Sequence, residues 1–304
     1  MNSPLGMIFA PGFLANGPVV TALIVGGGAA IVSAVVGVPT VMRSQSFAGH
    51  ALADVGSAGG SASFLLGISP LWGFLGMALV AAGAVELADV RDARERDLVT
   101  GVVLGAGLGL AALFLYFDVT SMSTTGAAIT IMFGSMFAIP ASVVPLALTV
   151  GLGAITAIAA IHRPLLLSSL SLELAKAQGV QVRLIGLVYV FALALAVSLS
   201  AETIGALLST ALLIGPAATG LRLANRPGTA VILSVAIGLA ATWGGILLAY
   251  DSFYWTPGHG WPVSFFIVAL IVFFYLMAVL CGRRGAGRVG RRGGGRPILE
   301  SGET

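Results

Sequence analysis

Metal-binding and acid–base chemistry in this 304-residue sequence must be found among twelve acidic residues, three histidines and one cysteine. One pair stands apart from the rest. In Gly49-His50-Ala51-Leu52-Ala53-Asp54, His50 and Asp54 are spaced i and i+4, so a helix places them on one face. An imidazole nitrogen beside a carboxylate oxygen suits zinc, manganese or ferrous iron. No cluster of thiolates or methionines argues for copper. The same pair would also serve as a plain hydrogen bond between helices, and spacing alone leaves both readings open.

The other ionisable groups divide by position. Asp89, Asp92, Glu95 and Asp97 alternate with arginines and read as a solvated loop, with Glu86 close to it. Asp118, Glu202 and Asp251 fall at the outer ends of apolar stretches, as interface residues or as places where a cation is admitted. His162 adjoins Arg163 and Pro164 at an inner helix end. His259 lies in an outer loop, Pro257-Gly258-His259-Gly260-Trp261-Pro262, where metal capture is an alternative to a plain loop role. Cys281 has no partner for a disulfide, and no Cys/His cluster suggests structural zinc. The candidate metal ligands are therefore His50 and Asp54, with Glu202, Asp251 and His259 as candidates at the outer mouth. No catalytic constellation and no cofactor-binding motif is present.

The elements that must position these residues follow from composition. Hydrophobic residues make up 58% of the chain and charged residues 9%, against roughly 25% charged in a soluble domain. That excludes soluble domains, a disordered chain and a nucleic-acid binder. The fold class is an all-α polytopic membrane protein. A bilayer core needs about 20 apolar residues per helix, which predicts spans near 18–42, 45–66, 70–88, 98–117, 141–161, 183–200, 203–221, 229–250 and 262–281. This makes about nine spans, with eight as the alternative count. The stretch 118–140 is apolar but broken by Ser, Thr, Gly and Pro140, and reads as a loop with a partly inserted helix. With nine spans and a cytoplasmic C-terminus, all fifteen Lys and Arg residues fall inside. His50 and Asp54 then lie roughly 10–17 Å in from Arg43, at a depth where ionisable groups face a pathway or a partner.

Three regions result: a lead-in over 1–17 without the basic start of a cleaved signal peptide, a transmembrane domain over 18–281, and a basic, disordered cytoplasmic tail over 282–304. Within the domain, Ser171 to Val180 is amphipathic and too charged to cross. Ser171 suits an N-cap and Gly179 a helix end. Small residues (Gly49, Ala53, Gly56, Ser57, Gly59, Gly60 and Ser61) surround the His/Asp pair and allow close helix approach or a hydrated path. Gly101, Gly105 and Gly109 form a second small-residue stripe, read as helix packing.

Together these blocks resemble the integral permease subunit of ATP-binding cassette transporters that import manganese, zinc or iron. Ile204-Gly205-Ala206-Leu207-Leu208 and Ala211-Leu212-Leu213-Ile214-Gly215-Pro216-Ala217-Ala218-Thr219 carry most of the likeness. Asp97-x-x-x-Gly101, Phe133-Gly134-Ser135 and Asp251 through Pro257-Gly258 also fit. Glu173-x-Ala175-x-x-x-Gly179-Val180 is similar to the family's cytoplasmic coupling helix, which docks on the ATPase subunit. The family's second span usually carries Gly-Asp-x-x-x-His, with both side chains held to contact metal in transit; here the order is reversed. The resemblance implies a homodimer in the plasma membrane, bathed by lipid, with cytoplasmic ATPase subunits and an extracytoplasmic metal-binding protein. The chain would bind no cofactor, and ATP would act through the partner subunit. A permease for a metal chelate or cobalamin-like cargo, and a secondary metal/proton transporter, are the alternatives.

Overall fold

The computed structural model describes residues 13–87, 93–121, 126–255 and 260–289, and within these residues all regular structure is helical. Eleven α-helices run in order. They are α1 (Gly17–Met42), α2 (Ser46–Leu66), α3 (Pro70–Leu87), α4 (Ala93–Ser121), α5 (Ala127–Phe133), α6 (Val144–Leu170), α7 (Leu172–Ala177), α8 (Val182–Ile204), α9 (Ala206–Leu223), α10 (Pro227–Trp255) and α11 (Val263–Val289). The nine long ones coincide with the nine expected apolar stretches. Seven are long and apolar enough to cross a membrane; α2 and α3 fall short on that measure. This makes the chain a multi-pass membrane protein.

Local chemistry sets several of the boundaries. Pro18 starts α1, where its missing N–H costs nothing. Gly67 ends α2 at φ 67°, and the Ile68 amide then bonds the Ser63 carbonyl at 3.0 Å. The Ser171 hydroxyl accepts from the Leu174 amide at 3.2 Å, capping α7 as expected, and Gly179 turns out of it at φ 75°. Two expectations shift. The helix α6 continues through Pro164 to Leu170, so His162 is an exposed residue within a helix and not at its end. The interrupted stretch divides, because α4 runs on to Ser121 and a seven-residue helix, α5, follows.

The α1, α2, α8 and α9 helices form the interior, while α4, α6, α10 and α11 surround them. The apolar window of α1 is 67% buried, and that of α4 only 22%. Small residues let α2 pack tightly. A side chain at Gly59 would lie 2.6 Å from the Gly73 carbonyl carbon of α3, so the two backbones touch only because both positions are glycine. On α4 it is Gly107 that meets α2, at Val55; a side chain at Gly101, Gly105 or Gly109 would face open space within this chain. Which helix face is buried depends on the crossing geometry, and the stripe of glycines does not specify it.

Three basic residues, Arg43, Lys176 and Arg183, gather around one cavity at one end of the bundle. Arg43, in the short turn between α1 and α2, donates from Nη1 to Ser168 Oγ of α6 at 3.0 Å, and its guanidinium lies 5.2 Å from the Tyr189 ring centre of α8. At the opposite end, α5 seats on the α8–α9 turn. Gly134 (φ 74°) and Gly205 (φ 88°) abut there, and a Cβ on Gly134 would fall 2.6 Å from the Thr203 carbonyl oxygen. Two separate sequence blocks, Phe133-Gly134-Ser135 and Ile204-Gly205-Ala206, thereby become one joint. Residues 1–12 of the lead-in, the loop positions Asp89, Arg91 and Asp92, and tail residues 290–304 lie outside the described residues; α11 itself reaches Val289.

Candidate metal transit site

The α2 helix is continuous through Gly49 to Asp54, so the i, i+4 spacing holds. His50 Nε2 and Asp54 Oδ2 are 3.3 Å apart. A side chain at Gly49 would sit 3.7 Å from Leu193, at the midpoint of α8, which puts the pair at mid-height in the bundle. The two groups differ in access. The Asp54 side chain is 7% exposed and that of His50 is 40% exposed, so the carboxylate sits behind the imidazole. A buried carboxylate is costly without a partner, and the imidazole supplies one.

The second imidazole nitrogen is also occupied. His50 Nδ1 lies 3.0 Å from Thr210 Oγ1 of α9, 160 residues away in sequence. That contact directs Nε2 towards Asp54, which is the orientation a shared metal would need. Thr210 was not among the residues expected from sequence. It falls between the two blocks that carry the family likeness, and its one signal is that it and Ser209 put two hydroxyls into an apolar run. Neighbouring Ser209 bonds back to the Ala206 carbonyl at 2.8 Å, while Thr210 reaches across to α2. A second hydrogen bond steadies Asp54 from its own helix, where Ser57 Oγ donates to the Asp54 carbonyl at 2.5 Å.

The expected outer residues do not join this pair. Glu202 is half-buried in the last turn of α8, and Asp251 is fully buried near the end of α10. Asp118 is fully buried in the last turn of α4, and neither carboxylate oxygen has a hydrogen-bond partner among the described residues. His259 lies outside the described residues. Among those described, no three His, Cys, Asp or Glu side chains come together. One imidazole and one carboxylate can hold a divalent ion only in passing, with water or further groups completing its coordination.

On the coupling segment, Glu173 and Gly179 are exposed, but Ala175 is fully buried against the body of this chain. Leu174, beside it, is 49% exposed. The outward face of α7 therefore includes Leu174, while Ala175 anchors the helix on the chain. Period alone does not distinguish them in a helix of six residues.

Several known proteins are similar to this chain in sequence or in fold. The manganese transport system membrane protein MntC of Listeria innocua is 27% identical over 271 residues, covering 88% of this chain and 92% of that protein. The high-affinity zinc uptake system membrane protein ZnuB of Haemophilus influenzae is 26% identical over 76% of this chain and 88% of its own length. Among solved structures, PsaBC from Streptococcus pneumoniae in complex with Fab superposes with a TM-score of 0.75 at 26% identity, over 88% of this chain and 92% of that one. The ABC 3 transport family matches residues 17–282, the whole helical bundle but for the start of the sequence and the basic tail, and the chain belongs to that family.

Proposed function

We propose that this chain is the permease subunit of an ATP-driven importer of divalent transition-metal ions, with manganese, zinc or iron as cargo. The observation that carries the reading is the mid-height His50–Asp54 pair, held at 3.3 Å and oriented by Thr210. Membership of the family and the manganese and zinc systems of its relatives support it. The reversed ligand order keeps both donor types on one helical face and exchanges their heights. A two-ligand site binds weakly enough to release its ion, as conduction requires.

Two copies of the chain would complete the pathway. His50 opens onto a partly exposed face with Phe47 of α2 and Leu207 of α9. A second copy laid on that face would enclose a central path and bring a second His/Asp pair to it. The basic end is cytoplasmic in this reading, by the positive-inside rule, and the C-terminus with it. ATP hydrolysis belongs to a separate ATPase docked at α7. The sequence contains no Gly-x-x-x-x-Gly-Lys-Ser/Thr loop, and its one lysine is Lys176 of α7. A metal-binding protein at the opposite end would deliver the ion near Glu202, Asp251 and His259.

A bulky chelate or cobalamin would need a wide, aromatic-lined path. An aromatic-lined cavity of about 540 Å³, beside Phe137, Tyr250, Tyr254 and Trp261, lies on the α1–α10 side and not between α2 and α9. The test is manganese and zinc uptake into proteoliposomes holding this chain with its ATPase. Uptake should be lost in His50→Ala/Asp54→Ala while the complex still assembles and hydrolyses ATP. Near-normal uptake by the assembled double variant would overturn the transit site.

A further inference from the structure

The face of α2 opposite His50 lines a different space. A cavity of about 480 Å³ opens at the basic end, walled by α2, α3, α4 and α8 and bordered by the α1–α2 turn and α7. We propose that it binds an anionic phospholipid of the adjoining leaflet, phosphate headgroup at the mouth and the start of an acyl chain inside. The proposal rests on the membrane reading alone and is independent of the cargo.

The mouth is cationic. Arg43, Lys176 and Arg183 border it, against one carboxylate on the wall, Glu86. Arg43 is already fixed in place by Ser168 and the Tyr189 ring, so its charge is held without needing to be ordered by a ligand. Gln45, at the start of α2, and Thr100, within α4, are more than nine-tenths buried. Gln45 Oε1 and Thr100 Oγ1 have no hydrogen-bond partner among the described residues. Both residues line the cavity. Buried polar atoms are normally satisfied; a hydroxyl of a phosphatidylglycerol headgroup at the mouth can donate to Gln45 Oε1, and an ester carbonyl of the lipid can accept from Thr100 Oγ1.

Depth separates a lipid from a free anion. Val55 stands nine residues into α2 and Val190 eight into α8, so at 1.5 Å per residue the cavity extends roughly 12–14 Å from the membrane face. Its inner walls are apolar: Leu52, Val55, Ala81, Val103 and Val190. A phosphate ion would fill the mouth and leave those walls against water. An acyl chain covers them. The α4 helix packs closely on α2 but little on α3 and less still on α8, so the cavity is open alongside α4. A basic pocket between helices at this level is the kind of site that takes an acidic headgroup.

The full chain, purified in dodecyl maltoside without added metal, is titrated with dioctanoyl-phosphatidylglycerol, and thermal unfolding is followed. Parallel titrations use dioctanoyl-phosphatidylcholine and inorganic phosphate at matched ionic strength. The expected result is a saturable rise in Tm with phosphatidylglycerol alone. Lys176→Gln/Arg183→Gln, both at exposed positions, should weaken that response at least tenfold, at roughly fivefold per basic residue. Val190→Phe, which fills the inner end, should remove it. An equal response to phosphatidylcholine would overturn the headgroup site. A matching response to inorganic phosphate would overturn the lipid in favour of a free anion. An unchanged response in Lys176→Gln/Arg183→Gln would mean general lipid solvation and end the proposal. Because no metal is present, each of these failures leaves the transport reading untouched.

Discussion

Helices α2 and α11 solve opposite problems. The span within α11, Val263–Cys281, has a mean hydropathy of 2.9 and is 28% buried, so most of its surface faces lipid. The α2 helix carries His50, Asp54 and four serines in 21 residues, yet nearly all of it from Gly49 to Ser63 is buried within the bundle. Apolarity is required where a helix meets lipid and is dispensable where it meets protein. A helix relieved of that requirement can hold the ionisable groups that a transport path needs. The cost moves to geometry, since such a helix must be enclosed, and only small residues let its neighbours come close enough.

The largest expected effect tests that enclosure. Gly59→Leu would force α2 and α3 apart at their backbone contact, costing about 3 kcal/mol, the upper end of what overpacking typically costs. Little folded protein should be recovered by size-exclusion chromatography. Normal recovery would mean that the α2–α3 crossing is not what encloses the helix.

The same contrast recurs in miniature on α7, where Ala175 is buried and Leu174 exposed. Leu174→Arg should leave the permease folded while abolishing most ATPase co-purification and transport. Ala175→Arg should instead destabilise the permease itself, because it drives a charge into the body of the chain. If both variants fold and dissociate the ATPase equally, the division of the two faces is wrong.

A smaller effect probes the orientation of His50. Thr210→Ala should raise the KM for metal uptake about 10–100-fold, as loss of a ligand-orienting hydrogen bond does. Thr210→Ser, which keeps the hydroxyl, should restore most of it. A purely structural threonine would show reduced Tm in both variants without that split. Smallest of all, Leu276→Ala on the exposed side of α11 should change stability by no more than about 0.5 kcal/mol. A large loss there would break the comparison, since it would make the outer helix as demanding as the inner one.

Much of this was legible without coordinates because the relevant information is local. The positions of the nine long helices followed from runs of apolar residues, and the His50–Asp54 pairing from helical period. The Ser171 cap and the Gly179 turn followed from residue type. Family likeness then attached a chemistry to those elements. Boundaries were less legible: α6 passes through Pro164 because the helix continues to bury Leu165, a compensation that lies outside the local sequence.

What the chain determined by itself was which segments are helical, which end of the bundle is basic and which two side chains share a face at mid-height. Each depends on neighbours within a few residues or on a sum over composition. The tertiary structure decided how those helices cross. That crossing brought Thr210 to His50 over 160 residues, turned Gly107 and not Gly101, Gly105 or Gly109 against α2, and buried Ala175 while leaving Leu174 out. It also left a polar-mouthed cavity behind α2. Close approach between helices depends on the shapes of both partners at once, so a pattern read along one strand of sequence cannot specify it.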